Sequence, residues 1–354
     1  MGYQLQKRRR DAQVLRRRIR GNQSSHGFRG IVKIAKGSII KNTRIGSIGL
    51  GIMGGAFARH LLAEGFDVAG FDIDPQRRAA LKKLGCNAAA TAAAVSSRCA
   101  ILVTSLPSIA AVNAAFFGKG GIAETAKRGT VVIETSTLPL KVKHEIRAVC
   151  AKRGIQVLDC PVSGTGAQAA VRDIAIYASG DRKAYARAES VLQGFSRSVY
   201  YCGEYGNGSK LKYVANLLVT IHNLSAAEAM VMGLKSGLDL ELLYKVIRDG
   251  AGTSRMFEVR GPLMIANDYR KATMKVDVYK KDIDIIEQFA ADLHCPVPLF
   301  EAAKPFYAAA LAQGRALEDT AAVCAVLERM AGIQNRKRSP ISTRTPSTRK
   351  RKTR

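Results

Sequence analysis

With 354 residues, 47% of them hydrophobic and 24% charged, the chain can bury a sizeable core, and its length predicts two domains. The formal net charge of +28 invites a nucleic-acid reading, but residues 1–44 carry +12 of it and residues 334–354 carry +9, leaving +7 for the middle. No run of about 20 uninterrupted apolar residues predicts a membrane span, and 7 scattered cysteines without a CxxC pair argue against a disulfide framework or zinc and for reduced thiols in a cytosol-like compartment.

Segment 1–42, with "KRRR" and "LRRRIR", predicts a basic disordered arm, and segment 333–354 a basic disordered tail. Three readings of the first arm stay open: an organelle transit peptide, which would make the protein mitochondrial, a polyanion-binding arm, or leader sequence from a start codon too far upstream. The tail suits non-specific phosphate contact but lacks aromatic residues to stack on bases, so nucleic acid is expected only as a non-specific partner of the arms.

From 43 to 205, short Val- and Ile-rich runs alternate with Ala-rich amphipathic stretches: "RIGSIGLG", "FDVAGFDID", "CAILVTSLP", "GTVVIETST" and "GIQVLDCPVSG". Fully buried parallel strands joined by crossover helices have this pattern, so the first domain is predicted as α/β, a doubly wound Rossmann sheet. Beyond Gly208 the strand pattern gives way to long helical periods, predicting an all-α domain over 206–332 that opens with a long interdomain helix. Within it, Ala215 to Leu234 is expected to be a buried helix despite its apolar length.

Between the first predicted strand and helix, "GLGIMG" places Gly49, Gly51 and Gly54 in GxGxxG spacing around Leu50, Ile52 and Met53. Gly49 serves a tight turn, Gly51 lets backbone approach a pyrophosphate, and Gly54 lets helix and strand pack closely, with the phosphates meeting amides at the helix N-terminus. Asp72 ends the second predicted strand, where a carboxylate can accept hydrogen bonds from the adenosine ribose hydroxyls and repel a 2′-phosphate. NAD is therefore expected over NADP. Arg77 and Arg78 are placed to bind a 2′-phosphate instead, but Asp74 stands between them and the strand end.

"DCPVSG" supplies the Ser163 hydroxyl and a turn able to hold a carboxylate, given a helix starting nearby. Cys160, a small thiol after a strand, is expected to be buried rather than nucleophilic. In "GNGSKLKYVAN" Lys212 and Asn216 stand four residues apart, on one helical face, able to converge on a single oxygen. The five histidines show no HxxxH or HExxH spacing, so no metal site is expected.

"GLGIMG", "TSLP", "TSTLP", "DCPVSG", "GNGSKLKYVAN" and "KKDIDI" in this order resemble the β-hydroxyacid dehydrogenases, the group including 3-hydroxyisobutyrate dehydrogenase and tartronate semialdehyde reductase. The resemblance covers about Thr43 to Met330. It implies Lys212 as catalytic general acid/base with Asn216 holding it and the substrate, and Ser163, Gly164 and Thr165 as substrate-binding. It further implies Leu106, Pro107 and Thr137 as cofactor-lining positions and Lys281 as a lysine reaching the cofactor end of the cleft. The implied activity is NAD(P)-dependent interconversion of a small 3-hydroxy acid and its semialdehyde or 3-oxo acid, by a cytoplasmic homodimer or homotetramer.

A lysine of ordinary pKa, near 10.4, is a poor base at neutral pH, so burial and a nearby cation, with Lys281 the candidate, must favour the neutral amine. Thr165 stands where relatives commonly carry glycine, which is expected to narrow the pocket and add a donor. Two other functions are weighed: a non-catalytic dinucleotide-binding protein docked on nucleic acid by its arms, and an imine reductase, which a lysine at 212 makes less attractive.

Overall fold

A computed structural model describes residues 44–334 and 336. The calls on segment 1–42, and on the tail beyond Arg336, lie outside the described residues. Five of the strands fall in the five apolar runs: β1 (Arg44–Ile48), β2 (Asp67–Phe71), β4 (Ile101–Thr104), β5 (Val131–Glu134) and β6 (Gln156–Asp159). With the two-residue β3 (Asn87–Ala88) they form an all-parallel sheet of order β3-β2-β1-β4-β5-β6. This is the doubly wound Rossmann order, which reverses between β1 and β4 and opens a crevice there at the carboxyl ends of the strands. β4 and β5 are buried along their whole length, because helices cover both sheet faces.

A second sheet was not anticipated: β7 (Val162–Ser163) pairs antiparallel with β8 (Ala175–Ala178), which runs parallel to β9 (Ser198–Tyr201). A two-residue strand leaves almost no alternation to detect in sequence.

After Tyr201 the described chain is helical: Asn207–Lys235, Leu240–Asp249, Arg255–Ala266, Val276–Asp292, Pro298–Ala312 and Val323–Met330. Helix Arg255–Ala266 continues through Gly261 and Pro262 in its interior, a pair that on sequence alone signals a break. Helix Asn207–Lys235 is long and apolar enough to cross a membrane. Here it packs through Tyr213, Ala227 and Met230 into a core shared with Phe257, Ile283, Phe300 and Tyr307, and buries Lys212, Asn216, Thr220 and Asn223. Arg336, expected in a disordered tail, instead donates to the Ile265 carbonyl at 2.7 Å and pairs with Glu328 at 2.7 Å. It supplies acceptor carbonyls at the end of a helix with the donors they lack.

Candidate active site

At the crevice, Gly49 leaves β1 with φ +88°, and its N–H donates to the Phe71 carbonyl at 2.9 Å. A Cβ on Gly54 would stand 1.9 Å from the Gly49 carbonyl oxygen, so the close approach of helix Ile52–Ala63 to the strand end requires glycine. Gly51 caps that helix without a side-chain bond. Among the described residues beyond its chain neighbours and its own helix, only Arg77 Nη1, at 3.5 Å, lies within 4 Å of where its Cβ would be, which leaves room for an anion at the first-turn amides. Asp72 is buried, accepts the N–H groups of Leu50 at 2.7 Å and Asp74 at 2.9 Å, and meets Arg77 at 3.5 Å. Arg77 also pairs with Asp74 at 3.3 Å, while Arg78 donates to the Asp72 carbonyl at 2.5 Å. Loop and carboxylate together fit a dinucleotide.

The loops after β4 and β5 form the next wall. Leu106 N–H donates to Ser136 Oγ at 2.9 Å, with the exposed Pro107 beside it, and Thr137 offers its carbonyl to Lys281 Nζ at 2.6 Å. Ser163 lies on β7, opposite Ala175. Gly164 follows at φ +143°, and a helix does begin next, at Gly166. Thr165 departs from expectation: its hydroxyl is engaged with Gln168 in a capping box, accepting the Gln168 N–H at 3.5 Å and donating to Oε1 at 3.3 Å. It adds no spare donor, because the single O–H of Thr165 is given to Gln168 Oε1. A Cβ on Gly166 would meet Ile52 Cγ2 at 2.5 Å, which sets this loop against the nucleotide loop.

Gly206 caps the long helix in the left-handed region at φ +97°. A Cβ on Gly208 would stand 2.3 Å from the Tyr177 carbonyl oxygen and 2.8 Å from that of Asp159, so the first turn seats directly on the ends of β6 and β8. One turn on, Lys212 is 8% exposed, and among the described residues its Nζ has no hydrogen bond and no ion pair within 4 Å. Burial depresses its pKa to about 8, with Asp282 opposing the shift and Lys281 adding to it. Asn216 Nδ2 donates to Asp282 Oδ2 at 2.9 Å, and Lys281 Nζ pairs with Asp282 Oδ1 at 2.6 Å.

The chain Thr137, Lys281, Asp282, Asn216 thus joins a predicted cofactor position to the face that carries Lys212. Asp282 is the residue that sequence reasoning missed, although it sits in the quoted "KKDIDI"; a carboxylate following a lysine reads as an ordinary surface pair. Asp282→Asn is expected to lower the Lys212 midpoint by about 1 pH unit or more through loss of the opposing charge. The pH dependence of turnover checks it.

Cys160 is buried, and burial pushes its thiol well above the ordinary value, which suits packing rather than nucleophilic chemistry. Among the described residues no group of three or more His, Cys, Asp or Glu side chains gathers as a metal site.

In sequence, residues 44–203 match the NAD binding domain of 6-phosphogluconate dehydrogenase, and residues 206–327 match the NAD-binding region of NADP-dependent 3-hydroxyisobutyrate dehydrogenase. An L-threonate dehydrogenase from Cupriavidus necator is 36% identical over 280 residues, covering 79% of this chain and 94% of that protein. The chain belongs to the β-hydroxyacid dehydrogenase family. Another relative of this β-hydroxyacid dehydrogenase is the 2-(hydroxymethyl)glutarate dehydrogenase of Eubacterium barkeri, 30% identical over 83% of this chain and 97% of that protein. Among solved structures, a 3-hydroxyisobutyrate dehydrogenase from Salmonella typhimurium superposes with a TM-score of 0.75 at 33% identity, covering 80% of this chain and 100% of that one.

Proposed function

We propose that this β-hydroxyacid dehydrogenase uses NAD(P) to interconvert a small hydroxy acid and its oxo acid or semialdehyde, with Lys212 as the proton carrier. The observation that carries the reading is Lys212 itself: a buried residue whose amine has no hydrogen-bonding partner among the described residues, its pKa brought down to about 8, on the helical face shared with Asn216. When bound, the nicotinamide ring accepts or supplies the hydride. Lys212 as the neutral amine takes the hydroxyl proton during oxidation, and as ammonium it returns a proton to the carbonyl oxygen during reduction. Asn216, its Nδ2 committed to Asp282, keeps Oδ1 as an acceptor for the substrate hydroxyl or the amine. Ser163 with the Gly164–Thr165 turn holds the carboxylate end, and Leu106, Pro107, Thr137 and Lys281 line the cofactor side.

NAD is the preferred form in this proposal, because Asp72 and Asp74 would both face a 2′-phosphate. Arg77 is already paired with these two carboxylates. The first substrates to try follow the relatives: L-threonate, whose hydroxyls occupy three carbons, and 3-hydroxyisobutyrate, whose one hydroxyl lies at C3. The wider panel tests other small 3-hydroxy acids. Purified protein is assayed with this panel and both NAD and NADP, following NAD(P)H absorbance, with Lys212→Ala as control. Turnover no greater than the control with every acid, in both directions, sinks the proposal.

A pH profile adds a second check. Oxidation needs the neutral amine, so kcat/KM for the hydroxy acid rises with pH and levels off above about 8; reduction needs the ammonium and falls above about 8. Turnover in the first direction also counts against the docking-protein and imine-reductase readings. A homodimer or homotetramer, implied by the resemblance, is tested by sedimentation of the full chain. Cytosol-like placement remains part of the proposal, with 5 of the 7 free thiols buried.

A further inference from the structure

Three fully buried charges lie outside the proton-transfer scheme, and we infer that they position it: Asp159, held by Lys143 and Glu134, is a positioning residue that fixes the first turn of the Lys212 helix against the cofactor-side loops. Glu134 ends β5, Asp159 ends β6, and Lys143 lies on helix Leu140–Lys152; each is 0% exposed. Lys143 Nζ bonds to Glu134 and pairs with Asp159 Oδ1 at 2.9 Å.

On one side, Asp159 receives the Ser209 N–H on Oδ2 at 2.8 Å and the Ser209 hydroxyl on Oδ1 at 2.8 Å, while Ser179 Oγ accepts the Gly208 N–H at 3.0 Å. On the other, Glu134 Oε1 accepts the Ser136 N–H at 2.9 Å, and Ser136 Oγ accepts the Leu106 N–H at 2.9 Å. An unbroken run of hydrogen bonds and ion pairs therefore links Leu106 to Ser209, three residues before Lys212.

Stability does not account for this arrangement. Burying each ion costs several kcal/mol, and apolar replacements of buried ion pairs are often no less stable. Geometry does account for it. The first amides of a helix lack internal acceptors, and a carboxylate at that end fixes both the rise and the rotation of the helix. A slip of one residue would swing Lys212 about 100° away from its present direction. The effect on turnover rests on Lys212 as proton carrier, whereas the placement of Lys212 can be measured without turnover.

The test uses full-length Asp159→Asn and Ser209→Ala. Asparagine cannot accept from Lys143 and from both Ser209 groups, whereas Ser209→Ala keeps all three buried charges and removes only one hydroxyl bond. Acetylation of Lys212 by acetic anhydride is followed across pH by mass spectrometry, alongside kcat, KM and the NADH dissociation constant.

In Asp159→Asn a loosened helix admits water to the amine, so its labelling midpoint rises by about half a pH unit or more toward ordinary lysine. In the same variant kcat falls about 10- to 100-fold with NADH affinity unchanged. Ser209→Ala moves both readouts in the same directions, with kcat down about 5-fold, and Ser209→Thr restores them. A midpoint that stays put or falls overturns the proposal, as does a kcat loss no larger than the fraction of unfolded protein. If Asp159→Asn does not fold, Ser209→Ala decides. Absence of turnover in the unmodified protein removes the proposed function, while the labelling still decides the positioning role.

Discussion

Lys212→Ala is expected to lower kcat by about 100-fold to 10,000-fold, the range lost with a positioned general acid/base, while NADH binding followed by fluorescence stays near that of the unmodified protein. The split follows from location. Lys212 lies on the helix that begins after β9, whereas the dinucleotide loop lies between β1 and helix Ile52–Ala63. A loss confined to KM would instead assign Lys212 to ordinary substrate binding.

The same side chain carries a stability cost with a definite sign. Its folded-state pKa of about 8 is below that of an unfolded lysine, so between about 8 and the ordinary lysine value of 10.5 the unfolded chain binds more protons and folding stability rises with pH. The cost of holding an ammonium in the cleft is fully present below about pH 8. Lys212→Met is therefore expected to raise Tm at pH 7, and the gain shrinks as pH climbs toward 10.5. Equal Tm values for the two proteins at pH 7 would contradict burial of the charged amine.

Gly54→Ala is expected to weaken NAD(P)H binding about 10- to 100-fold, the equivalent of roughly 1–3 kcal/mol of overpacking transmitted to the phosphate cradle. The new methyl would fall 1.9 Å from the Gly49 carbonyl oxygen and 3.1 Å from Ser105 Cβ, closer to that oxygen than real Cβ atoms come. Helix Ile52–Ala63 must tilt away, carrying the first-turn amides with it. A fluorescence titration with NADH checks this, and an unchanged dissociation constant would show that those amides do not hold the phosphates.

Much of the frame was legible in the residues because burial on two sides leaves a strong mark. Ile101–Thr104 and Val131–Glu134 are apolar runs that only a covered parallel strand explains, and Asp72 falls at the end of β2 as its spacing from Gly54 requires. Lys212 and Asn216 were legible because helical periodicity puts them on one face. What stayed hidden depends on partners distant in sequence. Asp282 matters through Asn216, 66 residues away, and Asp159 through Ser209, 50 residues away. Neither separation leaves a periodic trace. Thr165 was misjudged for the opposite reason, its partner Gln168 being so near that a local capping box took the hydroxyl assigned to the pocket.

The small sheet β7-β8-β9 has a consequence for how such a protein changes over time. Residues 164–174 form the tip of a hairpin whose flanks, Val162–Ser163 and Ala175–Ala178, are pinned to each other, while β9 leads separately toward the long helix. Under the proposed function, insertions or exchanges at that tip would retune which acid is accepted without shifting the amine. Selectivity would then evolve as an exchangeable cassette on a fixed reaction centre.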